Sequence, residues 1–187
     1  MIRAFIAITP PTTLQQTMAE VRQVFERLSL PWRWVTADHI HLTLRFLGNV
    51  PEESVPSLHQ AMEEAAQGQT VFPLRARALG CFPHPARPRV LWVGLDDPGQ
   101  TLGRLNERLI AALTPLGFPP EDRPFHPHLT LARAQNLRRS SQLLPILQTY
   151  QNRDFGEFLV TQVHLVESQL QRGGALHTIL RSVTLQS

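Results

Sequence analysis

Lysine is absent from this 187-residue chain, and all 18 basic residues are arginine. That absence excludes whole mechanisms. A nucleotidyl ligase needs a lysine to carry its adenylate, a Walker-type phosphate loop needs one on the phosphates, and a Schiff-base enzyme needs one as its amine. Cysteine is almost absent too. Cys81 stands alone, so no internal disulfide can form. A reducing, cytoplasmic setting is expected, with Cys81 a small buried residue rather than a nucleophile. Long apolar runs are missing, and with no stretch of about 18 such residues no membrane span is expected. Met1 to Pro10 is too short an apolar stretch for a signal peptide and reads as a first strand. No linker-like or low-complexity segment divides the chain.

What remains is an ordinary globular composition, 42% hydrophobic and 18% charged. The chain is long enough for one good core or two small lobes. The net charge is only +3, and the pI near 10.3 mostly reflects the high arginine pKa. Arginine suits bidentate phosphate contacts and stacking on bases, so a basic cleft is compatible with this composition.

Periodicity outlines the elements. Arg3–Thr9 reads as a buried strand. Thr13 with Gln16 resembles a capping box, and Leu14, Met18, Val21, Phe25 and Leu28 follow at helical spacing. A strand leads from Trp34 to Leu47 and ends at Gly48-Asn49. Pro51 to Gln67 reads as a helix, Val71–Phe82 as a strand, and Pro83 to Arg89 as a loop. Val90–Leu95 starts a second round. A helix with Leu102, Leu105, Leu109, Ala112 and Leu116 inward stops at Gly117. A strand runs from Pro127 to Ala134, and Leu143 to Leu147 has helical character weakened by Pro145. Phe158–Leu170 and Leu176–Leu185 read as final strands joined at Gly173-Gly174.

Within this frame one string occurs twice. His41-Leu42-Thr43-Leu44 and His128-Leu129-Thr130-Leu131 are identical and lie 87 positions apart (128 − 41). On a strand, His and Thr two apart share a face, so each copy offers an imidazole and a hydroxyl together. His39 and His126 precede the motif histidines at the same spacing and share their parity, which makes second-line help from them a candidate role. The offset also sets Ala4–Ile8 on Leu91–Leu95 and Val71–Phe82 on Phe158–Gln169. An internal duplication is expected, covering about 3–89 and 90–177, with one histidine motif per half. The expected fold is α+β: a single two-lobed domain over 1–187 with pseudo-twofold symmetry, antiparallel sheets lining a central cleft and helices outside.

Two imidazoles and two hydroxyls around one spot are the equipment for acid–base chemistry on a phosphate. One neutral histidine can act as base and one protonated histidine as acid, while Thr43 and Thr130 can hold the phosphoryl oxygens. No metal or other cofactor is required. Arg45 shares the parity of His41 and Thr43 and is expected to reach the phosphate. Arg133 has the opposite parity to Thr130 and should face away unless a bulge intervenes. Phe46 is expected in the core with Leu42 and Leu44. His59, His84, His164 and His177 read as ordinary structural histidines.

The strings His39–Gly48 and Pro124–Arg133, with Arg3–Ile8, Trp34-Val35, Arg89–Gly94 and Leu116–Asp122, resemble the two-histidine phosphoesterase superfamily. The similarity is to the RNA 2′,3′-cyclic phosphodiesterases also called 2′-5′ RNA ligases. The resemblance implies action on RNA or an oligonucleotide with a 2′,3′-cyclic phosphate end, tRNA fragments being one such class; a monomer is expected because nothing in the sequence demands an oligomer, and no membrane partner is expected. The resemblance also implies His41 as proton donor, His128 as acceptor, Arg133 in the recognisable string, and a 2′-phosphate product. Alternatives are reversible 2′-5′ RNA joining, a metallohydrolase built on the two His-x-His pairs, and a non-catalytic RNA-binding module.

Overall fold

The computed structural model describes residues 1–26, 31–135, 143–171 and 174–187. Its strands are β1 (Ile2–Ile8), β2 (Trp32–Trp34), β3 (Leu42–Val50), β4 (Phe72–His84), β5 (Arg87–Asp96), β6 (His128–Ala134), β7 (Asp154–Val160), β8 (Gln162–Gln171) and β9 (Gly174–Thr184). Its helices are α1 (Thr12–Glu26), α2 (Val55–Ala66), α3 (Thr101–Leu113) and α4 (Leu143–Thr149). Among the described residues no helix is long and apolar enough to cross a membrane.

The strands form one sheet in the order β7-β4-β5-β6-β3-β1-β8-β9, with β2 on β6, and every strand pair is antiparallel. The α+β class and the two-lobed arrangement are as expected. The two four-stranded halves meet at a single residue pair, Leu42↔Leu129. Each motif strand thus edges its own half, and the motifs face each other across the seam. The sheet curls until its ends approach: Thr70 bridges Gln186, and the amide of Leu185 donates to the carbonyl of Thr161. One face of the sheet and the helices enclose the main core. On the other face a small separate cluster of Phe5, Ala7 and Val166 lines the concavity.

Several elements differ from expectation for local reasons. Pro83–Arg89 is a tight hairpin between β4 and β5 rather than a loop. Phe158–Leu170 is two strands, parted at Thr161, where the chain leaves one edge of the sheet for the other half. Thr13 lies inside the first turn of α1 instead of capping it. Pro145 falls in the first turn of α4, where its missing N–H costs nothing. β3 continues past Gly48, which takes a left-handed φ of 71° at an irregularity. Gly117, at φ 91°, ends the helical run as expected, and the Phe118 amide returns to the Leu113 carbonyl. Leu28 and Gly173 lie outside the described residues.

Register also corrects the offset of 87 for the opening strands. Ile8 pairs with Leu42, and Val93 pairs with Leu129. Ile8 therefore matches Val93, an offset of 85 (93 − 8), and the five-residue alignment slips by two.

Candidate active site

His41 and His128 stand at the starts of β3 and β6 and are held alike. The Nδ1–H of His41 donates to the carbonyl of His39 at 2.7 Å, and that of His128 donates to the carbonyl of His126 at 2.6 Å. A carbonyl only accepts, so Nδ1 carries the proton in the neutral ring and Nε2 keeps a free lone pair. The residue two before each motif histidine thus orients it through a backbone carbonyl. The antiparallel pair Leu42↔Leu129 sets His41 level with Thr130 and Thr43 level with His128. Both threonines are half-buried.

Each motif strand carries a bulge at the same place. In β3, Ile6 pairs with Arg45 and Ala7 with Thr43, leaving Leu44 unmatched. In β6, Leu91 pairs with Ala132 and Trp92 with Thr130, leaving Leu131 unmatched. A bulge residue reverses the parity of everything after it. Leu44 and Leu131 are both buried, and so are the residues that follow them, Arg45 and Ala132.

This reversal overturns two expectations about β3. Arg45 does not face the cleft. It is 8% exposed on the far side, where it pairs with Glu121 at 3.2 Å and donates to the carbonyl of Pro119. It ties the first motif strand to the segment that leads into the second motif. Phe46 is not in the core; it is 55% exposed and faces the cleft, with its ring 6.2 Å from that of Phe5. In β6 the same reversal turns Arg133 to the face of His128 and Thr130. Its positive charge bears on both motif histidines.

The Arg45 clasp has a consequence for stability. Removing Glu121 leaves a buried guanidinium short of its counter-charge, whereas removing Arg45 leaves a carboxylate already half in water. Glu121→Ala is therefore expected to cost about 1–2 kcal/mol, and Arg45→Met less. Urea unfolding of the two variants checks the order.

Burial pushes both imidazoles down, and His41 reaches about 4. Hydrogen bonding to the His39 and His126 carbonyls opposes the shift. His177 and His39 beside His41, His126 beside His128, and Arg133 beside both, add to it.

Ring contacts complete each nest. His41 stacks on Phe5 at 4.8 Å. His128 meets the edge of Phe82 at 5.1 Å and lies 6.1 Å from Trp92. Trp92 lies against Gly80, where an added Cβ would come within 2.2 Å of the indole, so only glycine fits. Among the described residues, no group of three or more His, Cys, Asp or Glu side chains has the arrangement to hold a metal ion. Burial pushes the Cys81 thiol up to about 11, as suits a packing residue and not a nucleophile.

The sequence pattern of the 2′-5′ RNA ligase superfamily matches residues 9–172, a span that includes both motifs. The chain belongs to that superfamily. An Aeropyrum pernix relative named RNA 2′,3′-cyclic phosphodiesterase is 32% identical over 91% of this chain and 96% of its own. The crystal structure of a Thermus thermophilus protein superposes with a TM-score of 0.82 at 31% identity, covering 98% of both chains. Escherichia coli LigT complexed with 3′-AMP superposes at 0.78 with 29% identity, over 100% of this chain and 99% of that one.

In this superfamily member one residue of the site escaped sequence reasoning. His177 on β9, read as an ordinary histidine, stands 4.6 Å from the His39 ring and meets His41 edge-on at 5.3 Å. It carries no motif and comes from the far edge strand, so only the curl of the sheet brings it in. His164 does fit its ordinary reading: it is buried, and its Nδ1 lies 2.8 Å from the Ser182 hydroxyl oxygen.

Proposed function

We propose that this protein is an RNA 2′,3′-cyclic phosphodiesterase that opens a terminal 2′,3′-cyclic phosphate to a 2′-phosphate by metal-independent acid–base catalysis. One observation carries the reading: two imidazoles on facing strands, each with Nδ1 locked to the carbonyl two residues back, each leaving Nε2 free. That is the preparation two proton-transfer groups need. In the step itself a water oxygen attacks phosphorus as one Nε2 takes its proton. The bond from phosphorus to the ribose 3′ oxygen breaks, and the second imidazolium protonates that oxygen. The family resemblance gives His128 the first task and His41 the second. Thr43 and Thr130 donate to the non-bridging oxygens, and Arg133 offsets their charge. His39 and His126 orient the pair through their carbonyls.

The names of the relatives support the substrate class, and the superfamily supports phosphoester chemistry. The same groups run in reverse would join a 2′,3′-cyclic end to a hydroxyl. The strand order supports a further reading, that 1–187 is one domain grown from a duplicated unit. β3 edges one half as β6 edges the other, and β1 and β8 flank it as β5 and β4 flank its counterpart.

The test is hydrolysis of a short RNA ending in a 2′,3′-cyclic phosphate, with excess EDTA, resolving 2′- from 3′-phosphate products. Turnover to the 2′-phosphate, unchanged by chelator, is expected. Loss of turnover on chelation sinks the metal-free mechanism, and a joined product in place of hydrolysis makes the protein a ligase.

A further inference from the structure

The shortest strand of the sheet presents a single residue to the cleft, and that residue is a cation. β3 and β6 share only the pair Leu42↔Leu129, and β2 lies along the stretch of β6 that β3 leaves open. Trp32 pairs there with Ala134, Arg33 with Arg133 and Trp34 with Ala132. β2 is tied at both ends. The Val35 amide donates to the Leu131 carbonyl at 2.8 Å, and the Gln135 amide donates to the Pro31 carbonyl at 2.9 Å. Both tryptophans pack against the core, Trp34 with its ring 6.1 Å from that of Phe25. A three-residue strand anchored this way turns its middle side chain to the opposite face. Arg33 therefore stands beside Arg133 on the face of His128 and Thr130, and both arginines are exposed.

Like charges directly opposite one another on neighbouring strands are destabilising. Other strand arginines avoid the problem with a counter-charge: Arg45 faces Glu121, Arg75 faces Asp154 and Arg77 faces Asp96. Arg33 and Arg133 have no carboxylate partner among the described residues. An anion from outside the chain turns their repulsion into two attractions. We propose that Arg33 and Arg133 form a second phosphate subsite, which takes the phosphate on the 5′ oxygen of the nucleotide bearing the cyclic end. In an RNA that group is the phosphodiester joining the terminal nucleotide to the rest of the strand. The proposal rests on the phosphodiesterase reading and adds a binding subsite to it. Position supports the pairing of sites. Arg133 bears on both motif histidines, and Arg33 stands one strand further out, about 4.8 Å away in the sheet. The 5′ phosphate likewise lies one ribose away from the cyclic phosphate. Guanidinium also suits the task, because its planar fork meets two phosphate oxygens at once.

The experiment compares three substrates with the native protein, Arg33→Met and Arg33→Lys. They are adenosine 2′,3′-cyclic phosphate, the same nucleotide carrying a 5′-phosphate, and a uridine–adenosine dinucleotide with the same cyclic end. The native protein is expected to prefer both substrates that carry the second phosphate in kcat/KM. Arg33→Met is expected to shrink that preference by about 5- to 15-fold, the low end for a hydrogen bond to a charged group at an exposed site. The change should sit mainly in KM, and Arg33→Lys should keep part of the preference. On an RNA of about ten nucleotides, the slope of log kcat/KM against log salt should flatten by roughly 0.7 in Arg33→Met. Calorimetry gives a readout free of turnover: adenosine 2′,5′-bisphosphate should bind more tightly than adenosine 2′-monophosphate, and Arg33→Met should lose the difference. Removing one of two like charges should leave the melting temperature no lower than that of the native protein. A preference left intact in Arg33→Met, equal losses on all three substrates, or a markedly lower melting temperature overturns the subsite. So does a preference for the dinucleotide that the 5′-phosphate alone does not produce, because a nucleoside and not a phosphate is then being held. A native protein inactive on all three substrates overturns the phosphodiesterase reading itself, and equal binding of the two adenosine phosphates then overturns the subsite separately.

Discussion

Replacing either motif histidine by alanine is expected to lower kcat on a 2′,3′-cyclic phosphate end by about 10²–10⁴-fold. The expectation follows from how each ring is held. Nδ1 is committed to a backbone carbonyl, so Nε2 is the only proton-transfer atom either ring offers, and alanine leaves nothing in its place. The two losses should not multiply. One proton enters the pair from water as another leaves it for the ribose oxygen, so the histidines act as a unit, and removing both should cost little more than removing the worse one. Steady-state kinetics of the two single variants and the double variant check this, with thermal melts showing that each still folds. His39→Ala is the informative control, because it keeps the carbonyl that orients His41 and removes only the outer ring. A His39→Ala loss as deep as that of His41→Ala would mean that the backbone link is not what prepares the site.

The residues of the site were legible in the sequence to very different degrees. His41, Thr43, His128 and Thr130 precede the bulges, so simple alternation places them together, and the repeated string draws attention to them. Arg45, Phe46 and Arg133 follow the bulges. Alternation applied to them gives the opposite face in every case, and nothing in Leu44 or Leu131 announces an extra residue. A bulge is settled by how a strand meets its neighbour, which a single strand's pattern does not contain. Had the loss of parity been read from Arg45 and Ala132, the signal would have been the demand for a buried residue at both sites, and an arginine with a distant carboxylate partner hides that demand. His177 was hidden for a different reason: its contact with His41 crosses the concavity of a curled sheet, and curl has no local signature. The core faces were the easy part. Leu14, Met18, Val21 and Phe25 are all buried, as the helical stripe requires.

Between about pH 8.5 and 7, kcat/KM is expected to rise steeply as the pH falls, approaching tenfold for each unit. The sign comes from counting protons. Catalysis needs one imidazole and one imidazolium, a pair holding one proton. Burial, followed by the neighbouring imidazoles and Arg133, lowers both rings, His41 to about 4. In the free protein above neutrality both are therefore neutral and the pair holds no proton. Each unit of falling pH raises the one-proton form tenfold until the higher of the pair's two pKa values is reached, and these belong to the pair rather than to either residue. A bound phosphodiester changes the balance, because its negative charge beside Nε2 favours the imidazolium. The falling limb of kcat, which reports the bound complex, should therefore lie at higher pH than that of kcat/KM, which reports the free protein. Arg133 supplies an internal check. Its charge opposes protonation of both rings, so Arg133→Met should move the kcat/KM limb to higher pH even as weaker phosphate contact lowers its height. A kcat/KM that stays level across this range would show that the pair is not where the proton resides, and the two-histidine mechanism would fall with it.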